Sequence, residues 1–309
     1  MAKKPRLTPA QRANARYTDY IVHEPMELMT FLAAKMPEAS RTKLKALLSK
    51  RVVLVNKTIT TQYNFPLTSG MKVQISRDKN TKEFHHPMLQ IVYEDKYLLV
   101  VNKAEGLLSV NTEREKERTA YSILTEYVKR SGRQYRLFIV HRLDRETSGL
   151  MMFAKDEHTQ RTLRDYWKEI VTDRRYVAVV CGYTEKDVDT IRTWLTDETF
   201  HVRSSQYDDG GREAITHYRT LKRANDYSLL EVKLDTGRKN QIRVHLQGIG
   251  HPVVGDERYG GEEVPNPIGR LALHAFKLGF YHPVTHEAML FETPHPAAFK
   301  QLLRKINNN

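Results

Sequence analysis

The sequence predicts an α+β fold, in which a large domain is built on a central, mostly antiparallel mixed sheet with flanking helices and follows a small α/β module. Three observations support this. From residue 88 onward, short β-branched runs outnumber helical segments. The first 80 residues contain fifteen Lys or Arg against five Asp or Glu, so they carry most of the net charge of +13. Residues 77–83 are polar and aperiodic, and His86-Pro87 follows them, which is typical of a linker.

The small module is predicted to contain two helices and short strands. Apolar residues at helical spacing indicate a first helix over 26–36, and Ser40 can cap a second helix. Strand-like runs follow at 52–55 and 71–75. The predicted organisation is therefore a basic extension (1–25), the module (26–80), a linker (81–87), the large domain (88–303) and a short tail (304–309).

The second predicted helix has a basic outer face. Eleven residues without an acid carry five cations: Arg41, Lys43, Lys45, Lys50 and Arg51. Unopposed cations on one face suit a nucleic-acid backbone, because binding there releases counterions. An ordinary solvated helix face is the alternative. Residues 26–76 resemble the alpha-L RNA-binding motif of a small-subunit ribosomal protein and of some tRNA-modifying enzymes.

The large domain is predicted to contain seven strands and two helices. The strands are Leu89–Tyr93, Leu98–Asn102, Leu137–Val140, Leu150–Ala154, Tyr176–Cys181, Ile215–Leu221 and Leu229–Leu234, and the helices are Thr159–Lys168 and Gln241–Gln247.

Motifs for cofactors and metals are missing from the sequence. The glycines at 236–239 and 248–250 lack the spacing of phosphate-binding or dinucleotide-binding loops. A single cysteine excludes Cys-rich sites, and His282, His286 and His295 form no HExxH motif. No apolar run approaches the ~18 residues of a membrane helix, and the basic start lacks a secretory core. We therefore expect no metal, no nucleotide cofactor and no membrane association, in a cytoplasmic monomer.

The strongest chemical signal is the run HRLDRETSGL at 141–150, which lies between two strand-like runs. It places the acid Asp144 among arginines in a loop, where functional residues are common. A turn stabilised by a salt bridge is the alternative. Two further segments carry reactive side chains: RRYVA at 174–178 contains Tyr176, and LDTGRKNQIRVHL at 234–246 contains Arg243.

Together these segments resemble the RluA family of RNA pseudouridine synthases. The motifs HRLD-x-x-TSGL, R-x-Y-V-A and TGR-x-x-QIRVHL stand in the family's order, preceded by VVNK at 100–103 and followed by G-D-x-x-Y-G at 255–260 and LALHA at 271–275. Ala104 replaces the family's usual proline, which should soften a loop without affecting the chemistry. The resemblance spans about residues 88–303 and implies the pseudouridine synthase fold.

The resemblance also implies a reaction that needs no cofactor. Uridine becomes pseudouridine when the bond from ribose C1′ to uracil N1 breaks and the base rejoins through C5. Asp144 is the implied nucleophile or base, and Arg243 would form a salt bridge that keeps it ionised. Tyr176 would stack on the uracil and offer its hydroxyl for proton transfer. A strand tyrosine in the core is the alternative for Tyr176.

Three more residues would bind the substrate. Arg142 would fill the space left by the extruded nucleotide, unless it merely forms an exposed ion pair with Glu146. Leu273, and with less support Ile242, would form an apolar wall against the base.

The predicted function is a stand-alone RNA pseudouridine synthase that docks through its basic module and modifies large-subunit ribosomal RNA, with tRNA as the alternative substrate. A non-catalytic RNA-binding or ribosome-associated protein would be expected to have lost Asp144, Tyr176 or Arg243, and all three are present. A glycosidase-type hydrolase needs a second positioned acid, for which only Glu146 is near in sequence.

Overall fold

The computed structural model describes residues 17–49, 52–56, 58–76, 84–111, 118–129, 136–198, 201–261 and 263–304. The chain divides into two compact units, Met1–Glu83 and Phe84–Asn309. None of the helices in these described ranges is both long enough and apolar enough to cross a membrane.

The first unit combines two helices with short strands. Its elements are β1 (Tyr17–Ile21), β2 (Met26–Glu27), α1 (Leu28–Lys35), α2 (Arg41–Ser49), β3 (Val53–Val55), β4 (Thr58–Ile59), β5 (Pro66–Leu67) and β6 (Lys72–Ser76). Four strands form a sheet in the order β1-β6-β3-β4, and β2 pairs with β5. A core of its own includes Leu28, Leu32, Leu44, Val53 and Val73.

The two predicted helices of this unit are confirmed, but the first of them, α1, begins at Leu28 rather than at Met26. The Ser40 hydroxyl accepts a hydrogen bond from the backbone N–H of Lys43 at 3.3 Å, so it caps α2 as expected. Met26 is not helical, because it pairs with Leu67 between β2 and β5. The predicted extension covers residues 1–25, yet residues 17–21 form β1, which pairs with β6 in an antiparallel ladder.

The second unit contains most of the regular structure. Its strands are β7 (Leu89–Glu94), β8 (Leu98–Lys103), β9 (Phe138–Ile139), β10 (Ser148–Ala154), β11 (Val171–Cys181), β12 (Val188–Asp197), β13 (Val202–Ser205), β14 (Arg212–Ala224), β15 (Tyr227–Leu234), β16 (Leu273–Tyr281) and β17 (Ala288–Glu292). Its helices are α3 (Ala120–Lys129), α4 (Glu157–Asp165), α5 (Trp167–Ile170), α6 (Gln241–Gly248) and α7 (Ala297–Leu302).

These strands form one mixed, mostly antiparallel sheet, as predicted. The order is β13-β12-β14-β15-β11-β16-β10-β8-β7, with β17 added beside β16 and β9 beside β10. Among the described strands the parallel pair is β10 with β16. Side chains of β8 alternate between two cores: Leu99 and Val101 pack on one face, while Leu98 and Val100 pack on the other. The central strands are therefore buried on both faces.

Two boundaries in this unit differ from the sequence prediction. Helix α4 begins at Glu157, because the Asp156 carboxylate accepts a hydrogen bond from the backbone N–H of Thr159 at 2.8 Å. The predicted linker covers residues 81–87, but residues 84–87 belong to the second unit, where the Phe84 ring packs edge-on against Tyr127 at 5.1 Å between centroids.

Candidate active site

The second unit contains a cavity of about 1020 Å³. Six residues predicted from the sequence line it: Arg142, Asp144, Tyr176, Ile242, Arg243 and Leu273. The helix residues Arg41, Lys43 and Lys45 are exposed on α2 of the first unit. Lys50 and Arg51 lie outside the described residues.

Strand pairing brings the cavity residues together. The parallel ladder joins Ser148 to His274, so the loop before β10 lies next to Leu273 at the start of β16. Strand β16 lies between β10 and β11. The register of the β11–β16 pairing shifts between Arg175 and Val177 of β11. Tyr176 is the residue at this irregularity. Irregularities of this kind re-aim a side chain in many active sites.

Asp144 is presented by a loop, residues 141–147, that we call the Asp144 loop. The Ser109 hydroxyl donates to the Leu143 carbonyl at 2.6 Å and accepts from the Leu143 N–H at 3.2 Å. The Gly106 N–H donates to the Arg145 carbonyl at 2.8 Å. The loop has no regular structure of its own, but its backbone is held on both sides of Asp144.

The charge of Asp144 depends on opposing influences. Burial raises the pKa of this carboxyl group, while the guanidinium groups of Arg243 and Arg142 act against that rise. Glu146 adds to the rise, and Lys103 opposes it. The surrounding cations therefore favour the ionised carboxylate that a nucleophile or base needs.

Tyr176 is 6% exposed and lines the cavity. Burial raises the pKa of its hydroxyl, Arg174 counteracts that effect and the Asp144 carboxylate adds to it. The phenol is thus protonated at neutral pH and can donate a proton or a hydrogen bond into the cavity.

The structure differs from the expectation that Arg243 pairs directly with Asp144. Within the described residues, the carboxylates in ion-pair range of Arg243 are those of Asp256 and Glu146, the latter at 3.3 Å. Nε and Nη2 donate to the two oxygens of Asp256 at 2.8 and 2.6 Å. Arg243 acts on Asp144 through longer-range electrostatic attraction. Among the described residues, the ion-pair partner of Glu146 is thus Arg243 rather than Arg142.

Asp256 and Tyr259 hold Arg243 in place, a role that the sequence did not indicate. Asp256 is 1% exposed, and its Oδ1 also accepts the N–H groups of Arg258 and Tyr259. The Arg243 guanidinium lies over the Tyr259 ring, 5.2 Å from its centroid. Both residues belong to the G-D-x-x-Y-G motif at 255–260, so the sequence signal was present, but the motif does not show which residues they contact.

We expect Asp256→Asn to lower the free energy of unfolding by about 3 kcal/mol, because it leaves the buried charge of Arg243 without its main partner. Denaturant unfolding measures this. Asp165→Asn is the matched control, since Asp165 pairs with Arg164 on the surface and should cost less than about 1 kcal/mol. Equal losses in the two variants would contradict the importance of the buried pair.

The turn before α6 is fixed by Gln241 and Asn240. Gln241 Oε1 accepts from the Thr236 hydroxyl at 2.8 Å and from the Arg238 N–H at 3.0 Å. Asn240 has a left-handed φ of 52°, and its side-chain amide donates to the Tyr259 hydroxyl at 2.9 Å. These bonds hold the start of α6, and with it Ile242 and Arg243, against the cavity.

Further cations also line the cavity: Lys168, Arg174, Lys233, Arg238 and Lys239. Arg174 donates to the Thr236 carbonyl at 3.1 Å, and its guanidinium lies 5.7 Å from the centroid of the Trp167 ring. Cations that line a cleft attract a polyanionic ligand.

Ala104 and His282 lie away from this cavity. The Ala104 N–H donates to the Met88 carbonyl at 2.9 Å, a bond that proline could not form, so this position ties the loop down rather than softening it. His282 is hydrogen-bonded to Asp95 at 2.9 Å.

In the ranges that the structure describes, no group of three or more His, Cys, Asp or Glu side chains could hold a metal ion.

Comparison with known proteins gives consistent matches. Residues 97–248 match the family described as RNA pseudouridylate synthase. An uncharacterized RNA pseudouridine synthase of Aquifex aeolicus is 35% identical over 90% of this chain and 93% of its own length. Ribosomal large subunit pseudouridine synthase D of Pasteurella multocida is 33% identical over 89% of both chains. The solved structure of human RNA pseudouridylate synthase domain containing 1 superposes with a TM-score of 0.54 at 27% identity, covering 67% of this chain and 84% of that one.

Proposed function

The chain belongs to the RluA family of RNA pseudouridine synthases, which makes it an isomerase acting on RNA, and from this premise we propose that it converts specific uridines of large-subunit ribosomal RNA to pseudouridine. The observation that carries the proposal is the single cavity that holds Asp144, Tyr176 and Arg243 together. Relatives named for the large ribosomal subunit support the choice of RNA.

The reaction keeps every atom of the nucleotide. The C1′–N1 bond breaks, the base turns, a C1′–C5 bond forms, the C5 proton leaves and N1 gains a proton. Asp144 serves as the nucleophile or base beside the ribose, and Arg243 favours its ionised form. Tyr176 supports the face of the uracil and exchanges a proton through its hydroxyl.

The remaining cavity residues hold the extruded nucleotide. Leu273 and Ile242 are both buried and line the cavity, so they provide an apolar wall against the base. Arg142 is exposed at the cavity and takes the space that the nucleotide vacates in the RNA. Extrusion costs a few kcal/mol and is cheapest in loops, which favours an unpaired target uridine.

The test is site-resolved pseudouridine mapping of total RNA from cells with and without the gene, with rescue by wild type and by Asp144→Asn. We expect a large-subunit ribosomal RNA signal that disappears without the gene and returns with wild type alone. If the signal that disappears without the gene lies in tRNA instead, tRNA rather than large-subunit ribosomal RNA is the substrate. A signal restored by the variant would remove Asp144 from the mechanism. Purified wild type that leaves large-subunit ribosomal RNA and tRNA transcripts unmodified would favour a binding-only protein.

We also propose that the first unit docks on RNA through α2. Converting Arg41, Lys43 and Lys45 together to Gln should weaken RNA binding and reduce the slope of log Kd against log salt concentration by about 2, since each lost phosphate contact lowers it by about 0.7 to 0.9.

The matched control for α2 converts three exposed cations of the second unit to Gln: Arg161, Arg164 and Lys186. Each of these is paired with an acid, to Glu157, Asp165 and Asp189 respectively, so the salt slope should change little. An unchanged slope in the α2 variant would show that this helix does not contact RNA.

A further inference from the structure

Lys103, the last residue of β8, is a charged side chain with no solvent exposure. Its ammonium donates to the carbonyls of Leu107 at 2.8 Å, Ala104 at 2.9 Å and Arg145 at 3.2 Å. Within the described residues no carboxylate lies in ion-pair range of it. Burying an ammonium on carbonyl partners alone is costly, and an apolar side chain of similar length would avoid that cost. Such a residue at this place calls for a functional reason.

The contacts of Lys103 lead directly to Asp144. Arg145, whose carbonyl it binds, is the next residue in the chain. The same carbonyl accepts the Gly106 N–H, and Ser109 holds Leu143 on the other side of Asp144. Residues 103–109, which we call the supporting segment, therefore grip the backbone on both flanks of Asp144. Lys103 is the member of this segment that brings a positive charge, while Glu105 pairs with Arg270 at 2.7 Å.

We propose that Lys103 is a positioning residue for Asp144: its ammonium fixes the Asp144 loop and supplies a buried positive charge that favours the ionised carboxylate. The inference rests on the proposed function, because that function assigns Asp144 to the reaction. Lys103 does not line the cavity, so it acts through the loop and through its charge rather than on the substrate.

The electrostatic coupling supports this geometry. Burial lowers the pKa of Lys103 to about 8, and the Asp144 carboxylate acts against that lowering. Reciprocally, Lys103 acts to lower the pKa of Asp144. The other charged groups that act on Lys103 are Glu146, Glu105 and Arg270, and those that act on Asp144 are Arg243, Arg142 and Glu146, with the Tyr176 hydroxyl also nearby.

The first test is Lys103→Met, which keeps the length of the side chain and removes charge and donors. We expect kcat per folded molecule to fall at least about tenfold. The acid limb of the kcat profile should move to higher pH by about half a unit or more, because losing the cation raises the pKa of Asp144. RNA affinity should stay within about threefold, since the side chain does not reach the cavity. Lys103→Arg, which keeps the charge, should leave the acid limb near that of wild type.

Lys155→Met is the matched control. Lys155 is also largely buried, with 11% of its side chain exposed, but it pairs with Glu94 at 2.7 Å and follows the last residue of β10, at the opposite end of that strand from the Asp144 loop. This variant should lose stability and keep kcat and the acid limb. An unmoved acid limb in Lys103→Met, or an equal movement in Lys155→Met, would overturn the inference.

A second measurement does not depend on whether Lys103→Met folds. Lysine-selective carbon-13 NMR should show a buried lysine titrating near the pKa of about 8, and that pKa should fall in Asp144→Asn, where the attracting carboxylate is gone. An unchanged lysine pKa would overturn the coupling. Wild type that isomerises no RNA would overturn the proposed function, whereas active wild type with unaltered Lys103 variants would overturn this inference alone.

Discussion

Asp144→Asn is expected to reduce turnover at least about a thousandfold and to leave RNA affinity within a few fold. Asparagine has the same shape but cannot act as a nucleophile or base, and losing such a group removes most of the chemical acceleration. The loop should stay in place, because its backbone is held through Leu143 and Arg145 rather than through the Asp144 carboxylate. Single-turnover assays and RNA binding, measured on the same preparation, separate the two effects.

The control for this prediction is Glu146→Gln, a neighbouring acid on the same loop. Glu146 is exposed and contacts Arg243 at 3.3 Å, so its loss should cost less than about tenfold in turnover. Substantial turnover by Asp144→Asn, or an equal loss in both variants, would contradict the assigned role of Asp144.

Gly149→Ala is expected to lower the free energy of unfolding by more than about 4 kcal/mol or to prevent folding. Gly149 has φ +120° and pairs with Ala275 in the parallel ladder between β10 and β16. A Cβ here would lie 2.6 Å from the Ala275 backbone nitrogen and closer still to its carbonyl oxygen. Neither strand can move away, because both are buried in the middle of the sheet.

Gly250→Ala separates the clash from the backbone conformation. Gly250 also has a positive φ, +81°, but a Cβ there would meet nothing within 4 Å. Its substitution should cost only about 1 kcal/mol, the usual cost of a non-glycine residue in this region. Similar unfolding free energies for the two variants would show that the close approach of β10 and β16 does not limit stability.

The sequence predicted the strands that stand out as uninterrupted apolar runs. The runs that became β8 and β10 are continuous and apolar, since both faces of these strands are buried. By contrast, β12 was missed, because only the alternate residues Ile191, Thr193 and Leu195 are buried, and Arg192 and Thr193 interrupt its apolar pattern. Helix α3 was missed as well, although Ala120, Ile123, Leu124 and Val128 form its buried face.

The residues of the candidate site were predicted more completely than the residues that hold them in place. Motifs place Asp144, Tyr176 and Arg243 in the sequence, and the fold brings them to one cavity. The partner of Arg243 could not be predicted, because the choice between Asp144 and Asp256 depends on distances that only the folded chain sets. The role of Lys103 was hidden for the same reason, since its burial and its carbonyl partners are properties of the tertiary structure.

The parallel pairing of β10 with β16 also determines when the protein can first work. Ser148 and His274 are neighbours in the sheet but 126 residues apart in the chain. Contacts over such separations form late, because much chain entropy is lost before they add stability. A chain still emerging from the ribosome has the Asp144 loop long before it has Leu273. Because the proposed site uses both, we expect a chain that stops before β16 to isomerise no uridine.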